Sequence, residues 1–342
     1  MAGTVTIKDV AQRAGVSTAT VSRVLNNAGN VDPEKLERVE AAIVELRYRR
    51  NLVARGLRTQ RSHIFSLLCS DIENPFFTSI CRAIEDVASR AGFSVLICNT
   101  DGDLAKEREY IDMLAAQSVS GVIISPTSST RTDVAPLVRQ HIPMVAVDRR
   151  LPVDTDSVFV DNRLGAYEAT RHLIEAGARR IACVTGPKTA MTAQDRLAGY
   201  RDALAEAGIR SSAALIRHAD FKDAGGYAAT RELMSKQAPP DAFFVANNRM
   251  TTGALLALKD LGIRVPDDVA IVGFDDLAWA DLVNPSISTV RQPTYELGRA
   301  AAQLLLDRIS DGLPPQHRTL VLKPELIVRA SSIAVLAPSV SP

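Results

Sequence analysis

The stretch Ala14-Gly15-Val16-Ser17-Thr18-Ala19-Thr20-Val21-Ser22-Arg23 reads as the end of one helix, a tight glycine turn and the capped start of another. Upstream, Thr6-Ile7-Lys8-Asp9 has the form of a capping box, in which the Thr hydroxyl accepts a backbone N–H and the acid reaches back to the cap. This predicts a helix from Ile7 to Ala14, broken at Gly15, with Val16 pointing inward. Ser17 then caps a helix from Thr18 to about Asn26 with apolar Val21 and Leu25 four apart. Downstream, Asp32-Pro33 suits a third helix start, and Leu36, Val39, Ile43 and Leu46 recur at helical spacing. Three short helices around a small core are expected.

The outward residues suggest what this unit does. Thr18, Ala19, Thr20, Ser22 and Arg23 make a small, hydroxyl-rich face that can enter a DNA major groove, whereas a membrane-surface helix would oppose bulky apolar residues to lysines. Arg23 can fork onto a guanine edge, and Thr18 and Ala19 are short enough for base contact. Thr6, Ser17, Thr20, Ser22 and Asn26 suit phosphates. Charge agrees: residues 1–61 carry eleven Lys/Arg against six Asp/Glu, while the rest of the 342-residue chain carries 29 against 33. A basic module on an acidic body favours a polyanion as partner.

Asp9-Val10-Ala11, Ala14-Gly15-Val16-Ser17, Thr20-Val21-Ser22-Arg23-Val24-Leu25-Asn26 and Val39-Glu40-Ala41-Ala42 with Leu46 and Tyr48 resemble the headpiece of the lactose-repressor (LacI/GalR) family of bacterial transcription regulators. The resemblance implies a hinge at residues 50–61 that becomes helical on operator DNA. In it Leu57 would wedge into the minor groove, with Ala54 and Arg58 beside it, a kink offset by further contacts. Arg50 stands where the family usually has proline, and Gly56 lowers helix propensity by about 1 kcal/mol relative to Ala. A homodimer on a palindromic double-stranded operator follows, since only paired hinges bring two Leu57 side chains to one centre. Residues 330–342 contain no leucine heptad, so no tetramer is expected.

Beyond Ser62 strands and helices alternate. Ile64–Cys69, Ser94–Cys98, Gly121–Ser125 and Pro143–Val147 form one set of apolar runs, and Ile181–Thr185, Ala242–Ala246 and Val269–Gly273 a second. Helical stretches lie between them, as in βαβ units. The fold class expected is α/β: an all-α helix-turn-helix headpiece (1–49) and a core (62–335) of two doubly wound parallel-sheet lobes, followed by a tail (336–342). The lobes are read as 62–161 with 293–322, and 162–290 with 323–335. A ligand then belongs in the crevice at the carboxyl ends of the strands.

Composition excludes several classes. With 46% hydrophobic residues and 23% charged the chain is globular, and its longest apolar runs, such as Gly121–Pro126, fall far short of a membrane span. Cys69, Cys81, Cys98 and Cys183 have no CxxC spacing, which suits reduced core packing in the cytoplasm. No GxSxG elbow, GxGxxG fingerprint or HExxH spacing occurs, and Gly186-Pro187-Lys188-Thr189 lacks the first glycine of a phosphate loop. Neither catalysis, a cofactor nor a metal is expected. A periplasmic-type sugar receptor and a sugar-modifying enzyme are the rival readings, opposed by the DNA-binding module and by the missing catalytic residues.

Polar and aromatic residues gather instead at the expected strand ends: Asn74, Phe76, Phe77, Asp148, Arg149, Arg196, Phe221, Asn247, Asp275 and Gln292. Rings stack on the C–H faces of a sugar, while carboxylates, amides and guanidinium groups pair with its hydroxyls. Residues 62 to 330 are similar to the ribose-binding and related periplasmic proteins, with Val272-Gly273-Phe274-Asp275-Asp276 and Gln292-Pro293 as anchors. The resemblance implies that Asn74 and Asp275 bind hydroxyls and that Phe76, Phe77 and Phe221 sandwich the ring. Two aspartates cancel two arginines, favouring an uncharged monosaccharide. Asn247-Asn248-Arg249, where the family has Asn-Asp, moves the local balance toward positive and keeps a sugar acid as the second choice, and Trp279 either lines or covers the site or packs in the core.

Overall fold

The computed structural model describes residues 5–25, 31–48, 62–310 and 316–333. They fall into two compact units, one within the first 62 residues and one from His63 onward. Asn26, the hinge with Ala54, Leu57 and Arg58, and the tail from residue 336 lie outside the described residues.

In the first unit, α1 (Ile7–Ala14), α2 (Thr18–Leu25) and α3 (Pro33–Glu45) follow the capping chemistry. The Asp9 carboxylate accepts the backbone N–H and the hydroxyl of Thr6, each at 2.7 Å. These bonds hold its pKa below the usual carboxylate value. Gly15 ends α1 at a φ of 64°, where side chains are disfavoured. Ser17 Oγ accepts the Thr20 N–H at 3.1 Å, and Asp32 accepts those of Glu34 and Lys35 at 3.1 and 3.3 Å. The core consists of Val10, Ala11, Ala14, Val21, Val24, Val39 and Ala42, with Val16, Leu25, Ile43, Leu46 and Tyr48 partly buried against it. One expectation is corrected and one extended. Leu36 is 37% exposed, because α3 is covered from Val39 onward and its first turn is not. Val24 is more deeply buried than Leu25, since three residues after Val21 lies nearer the centre of the apolar stripe than four.

The second unit holds two six-stranded sheets. β1 (Ile64–Cys69), β2 (Ser94–Asn99), β3 (Gly121–Ile124), β4 (Met144–Val147) and β5 (Asp156–Val160) build the first. Its strand order is β11-β5-β4-β3-β1-β2, all parallel, with β11 (Thr319–Leu322) at one edge. β6 (Ile181–Thr185), β7 (Ile216–His218), β8 (Ala242–Val245), β9 (Ala270–Phe274) and β10 (Ser288–Arg291) build the second. Its order is β12-β10-β9-β8-β6-β7, and the edge strand β12 (Glu325–Ile327) is antiparallel to β10, so this lobe is not wholly parallel. α4 (Pro75–Arg90), α5 (Leu104–Ala116), α6 (Ala135–Arg139) and α11 (Thr294–Ser310) cover the first sheet. α7 (Asn162–Glu175), α8 (Met191–Glu206), α9 (Asp223–Met234) and α10 (Asn248–Asp260) cover the second. Helices on both faces explain the unbroken apolar runs of β3 and β8, buried at every position.

The chain passes between the sheets three times: from β5 into α7, from β10 into α11, and from β11 into β12. β5 begins with a fully buried Asp156. Burial would raise its pKa, but hydrogen bonds from the Arg308 side chain at 2.7 Å and the Arg318 backbone N–H at 2.6 Å hold it below the usual value. All four cysteines are free and buried, and burial pushes the Cys69 thiol up to about 12.

Candidate functional site

On α2, Thr18, Ala19 and Arg23 are exposed, whereas Thr20 and Ser22 are half-buried rather than fully outward. Ser17 and Thr20 also share a hydroxyl contact of 3.0 Å. Short side chains with one long cation therefore form the protruding surface of this helix. Thr6 is exposed beside it in sequence at the start of α1, its hydroxyl turned to Asp9.

In the second unit, the loops after the strands' carboxyl ends enclose a cavity of about 440 Å³ between the lobes. All ten residues singled out from the sequence line it: Asn74, Phe76, Phe77, Asp148 and Arg149 from the first lobe, Arg196, Phe221, Asn247 and Asp275 from the second, and Gln292 from a crossover. Phe76 and Phe77 meet edge to face, with centroids 5.0 Å apart. Asp148, Phe221 and Asp275 adopt left-handed φ angles of 67°, 63° and 69°, an unfavourable conformation for residues with side chains, kept where the fold over-determines it. Phe221 also depends on Gly186, where a Cβ would lie 2.1 Å from the ring.

The polar groups are fixed by one another. Asn74 Oδ1 accepts the Phe76 N–H at 3.0 Å, so the residue that starts α4 also faces the cavity. Asn247 caps α10 through Met250 at 2.9 Å and donates to the Phe221 carbonyl at 3.0 Å. Arg196 donates to Asn162 Oδ1 at 2.7 Å and to the Ala246 carbonyl at 2.6 Å, stacks 3.8 Å from the Phe274 ring centroid, and lies 3.9 Å from the Asp275 carboxylate. Burial pushes the Asp275 carboxyl up and the Arg196 guanidinium down, each opposed by the other's charge. Gln292 donates to Asp275. Two buried atoms in this wall have no hydrogen-bond partner: Gln292 Oε1, an acceptor, and Arg149 Nε, a donor 3.3 Å from Asp148 but not aligned with it. An open acceptor and an open donor are what a hydroxyl-bearing ligand can satisfy.

Residues 6–51 match the family described as bacterial regulatory proteins, lacI family, and residues 170–332 the periplasmic binding protein-like domain. A ribose operon repressor from Halalkalibacterium halodurans is 40% identical over 89% of this chain and 90% of its own. The chain belongs to the LacI family of bacterial regulatory proteins. Among solved structures, the lac repressor dimer bound to operator and the anti-inducer ONPF matches this LacI-family chain with a TM-score of 0.85 at 30% identity, covering 97% of it and all of the repressor. A LacI family regulator from Enterococcus faecium with bound ribose matches with a TM-score of 0.72 at 30% identity, over 80% and 99% of the two chains. This LacI-family member is a DNA-binding transcriptional regulator. None of its described helices is long and apolar enough to cross a membrane.

Arg249 and Trp279 both lie outside the cavity lining. Arg249 does not line the LacI-family core's cavity: its guanidinium pairs with Asp223 at 2.6 Å and with Glu73 and Asp71 of the opposite lobe at 3.5 and 3.8 Å. The positive charge expected at the ligand is consumed at the rim. Trp279 is half-buried and is not part of the lining. Further residues complete the site. Lys222 joins Asp71 across the lobes at 2.9 Å, and Asn248 donates to Asn74 at 2.9 Å. Buried Glu107 accepts the Thr127 N–H and the Thr132 hydroxyl, each at 2.6 Å, holding the loop after β3 against the cavity. Only a buried carboxylate in an otherwise ordinary amphipathic helix could have signalled Glu107.

Proposed function

We propose that this regulator binds a palindromic operator as a cytoplasmic homodimer and represses carbohydrate-utilisation genes, with operator affinity set by a neutral pentose, ribose first, in the interlobe cleft. Residues 1–49 serve as the headpiece, 50–61 as the hinge and 62–335 as the effector core. Thr18, Ala19 and Arg23 read bases, and Thr6, Ser17, Thr20, Ser22 and Asn26 hold phosphates. Ala54, Leu57 and Arg58 occupy the minor groove at the operator centre. Ligand and operator are linked reciprocally: whatever factor the sugar imposes on operator affinity, the operator imposes on sugar affinity.

The observation that carries the reading is the convergence of three rings with paired carboxylates, amides and guanidinium groups on one cavity, with Gln292 Oε1 and Arg149 Nε left open. Ribose bound to a LacI family relative and the ribose operon name of another point the same way. A neutral ligand is favoured over a sugar acid, because the lining holds six aspartates against four cationic side chains among the described residues, and Arg249 is not one of them. The site is read as binding rather than turning over its sugar. Calorimetric titration with ribose, glucose, ribose 5-phosphate and ribonate tests this. Selective binding of ribose, recovered unchanged, supports it, and selective binding of ribonate or no binding of any sugar overturns the effector assignment. For the headpiece, Arg23→Ala should weaken operator binding and relax sequence preference by ~1–3 kcal/mol at one base pair.

A further inference from the structure

The first crossover places a buried amide beside the pocket without making it part of the lining. Asn162 is the first residue of α7, directly after β5, and is 3% exposed. Capping of that helix is done by its neighbour: Asp161 accepts the Leu164 N–H at 2.9 Å. The Asn162 amide therefore has other partners. Its Oδ1 accepts Nε–H of Arg196 at 2.7 Å, and its Nδ2 donates to the carbonyl of Val160 at 3.2 Å, the last residue of β5 in the opposite lobe's sheet. With Nη1 on the Ala246 carbonyl and the guanidinium plane on Phe274, Asn162 fixes the last rotational freedom of the arginine.

We infer that Asn162 is a positioning residue of the effector site, orienting the Arg196 guanidinium toward the ligand and tying it to the strand that crosses between the lobes. The inference rests on the reading of Arg196 as an effector contact. Its geometric half, an arginine held at Nε by one amide, is testable without any ligand.

The experiment has two arms on the full chain. In the first, arginine-selective ¹⁵N labelling follows the Nε–H signal of Arg196, assigned by its absence in Arg196→Lys. The signal should be slow to exchange with water in the parent and in Asn162→Asp, which keeps an acceptor, and fast in Asn162→Ala. In the second, ribose is titrated calorimetrically into Asn162→Ala, Asn162→Asp, Arg196→Ala and the Asn162→Ala/Arg196→Ala double variant. Asn162→Ala should lose ~10- to 100-fold in affinity, Asn162→Asp less than about 5-fold, and the double variant no more than Arg196→Ala alone. Additive losses, or an unchanged Arg196 signal in Asn162→Ala, overturn the inference. If the alanine variant does not fold, loss of the slow signal in Asn162→Asp overturns it. If the parent binds no ribose, the effector reading fails while the first arm still decides whether Asn162 holds Arg196.

Discussion

The two lobes touch each other in two chemically different ways. Along the wall behind the cavity the connections are buried: Asn248 donates to Asn74 across the lobes, and the crossover residues Asn162 and Gln292 bond to Arg196 and Asp275 of the second lobe. Around the rim they are ion pairs reaching into solvent, Lys222 with Asp71 and Arg249 with Asp71 and Glu73, where the Lys222 and Glu73 side chains are 41% and 77% exposed. Buried directional bonds set geometry and fail abruptly when one partner is removed. Solvated ion pairs contribute little each, and salt tunes them. On the effector reading proposed above, the wall defines which ligand fits, and the rim adjusts how readily the lobes stay together around it.

The largest effect is expected from Arg196→Ala at the wall. It should weaken ribose binding by about 100-fold or more. By leaving the Asp275 carboxylate buried without its cation, it should also lower stability by ~3–5 kcal/mol, measured by calorimetry and denaturant unfolding. A variant that keeps both values would erase the distinction between wall and rim. Next, Gly186→Ala should push Phe221 out of the lining and cost about 10-fold in ribose affinity, since overpacking typically costs roughly 1–3 kcal/mol. The same substitution should leave the crossover bonds intact.

A smaller, pH-dependent effect separates the regions further. Burial raises the Asp275 pKa, so this carboxylate protonates before an ordinary one as pH falls. Affinity that depends on its charge is full above the raised pKa and lost below it. The contribution to stability has the opposite sign: the raised pKa favours the folded state at low pH, and that gain disappears as pH rises through it. A ribose titration series at falling pH should show the loss, and Asp275→Asn should bind weakly with no such slope. The smallest effect belongs to the rim. Lys222→Gln should cost two- to three-fold at low salt and nothing near about 0.5 M NaCl, and a salt-independent loss would place Lys222 with the wall.

Much of this was visible in the sequence, and the failures have physical causes. The headpiece was legible because Gly15, Ser17 and Asp32-Pro33 act on their immediate neighbours, which is also why Leu36, whose exposure is decided by the neighbouring helices, was misplaced. β5 went unread because a buried, doubly hydrogen-bonded Asp156 stands where an apolar residue would mark a strand. Asn74, Asp148, Asn247, Asp275 and Gln292 are legible because they follow a strand's carboxyl end, whereas Arg196 stands inside α8 and Phe221 follows the short β7. The rim was not legible, since Lys222 and Asp71 are 151 residues apart and only the packing of the two lobes brings them together. Arg249 shows the same limit: two residues after Asn247 it places positive charge near the site in sequence, but its three carboxylate partners lie elsewhere in the chain.

The three passages between the lobes also govern how the protein is made. The first sheet needs β11, and its helix α4 packs on α11, so the N-terminal lobe is completed by residues from Thr294 to Leu322. On a ribosome, strands β1 to β5 emerge long before those elements and must wait with one sheet edge and one helix face uncovered. Long-range closure of this kind slows folding and exposes the nascent chain to aggregation. Neither lobe is whole until Leu322 and Ile327 have been made, so chaperone access during synthesis bears on how much active regulator a cell obtains.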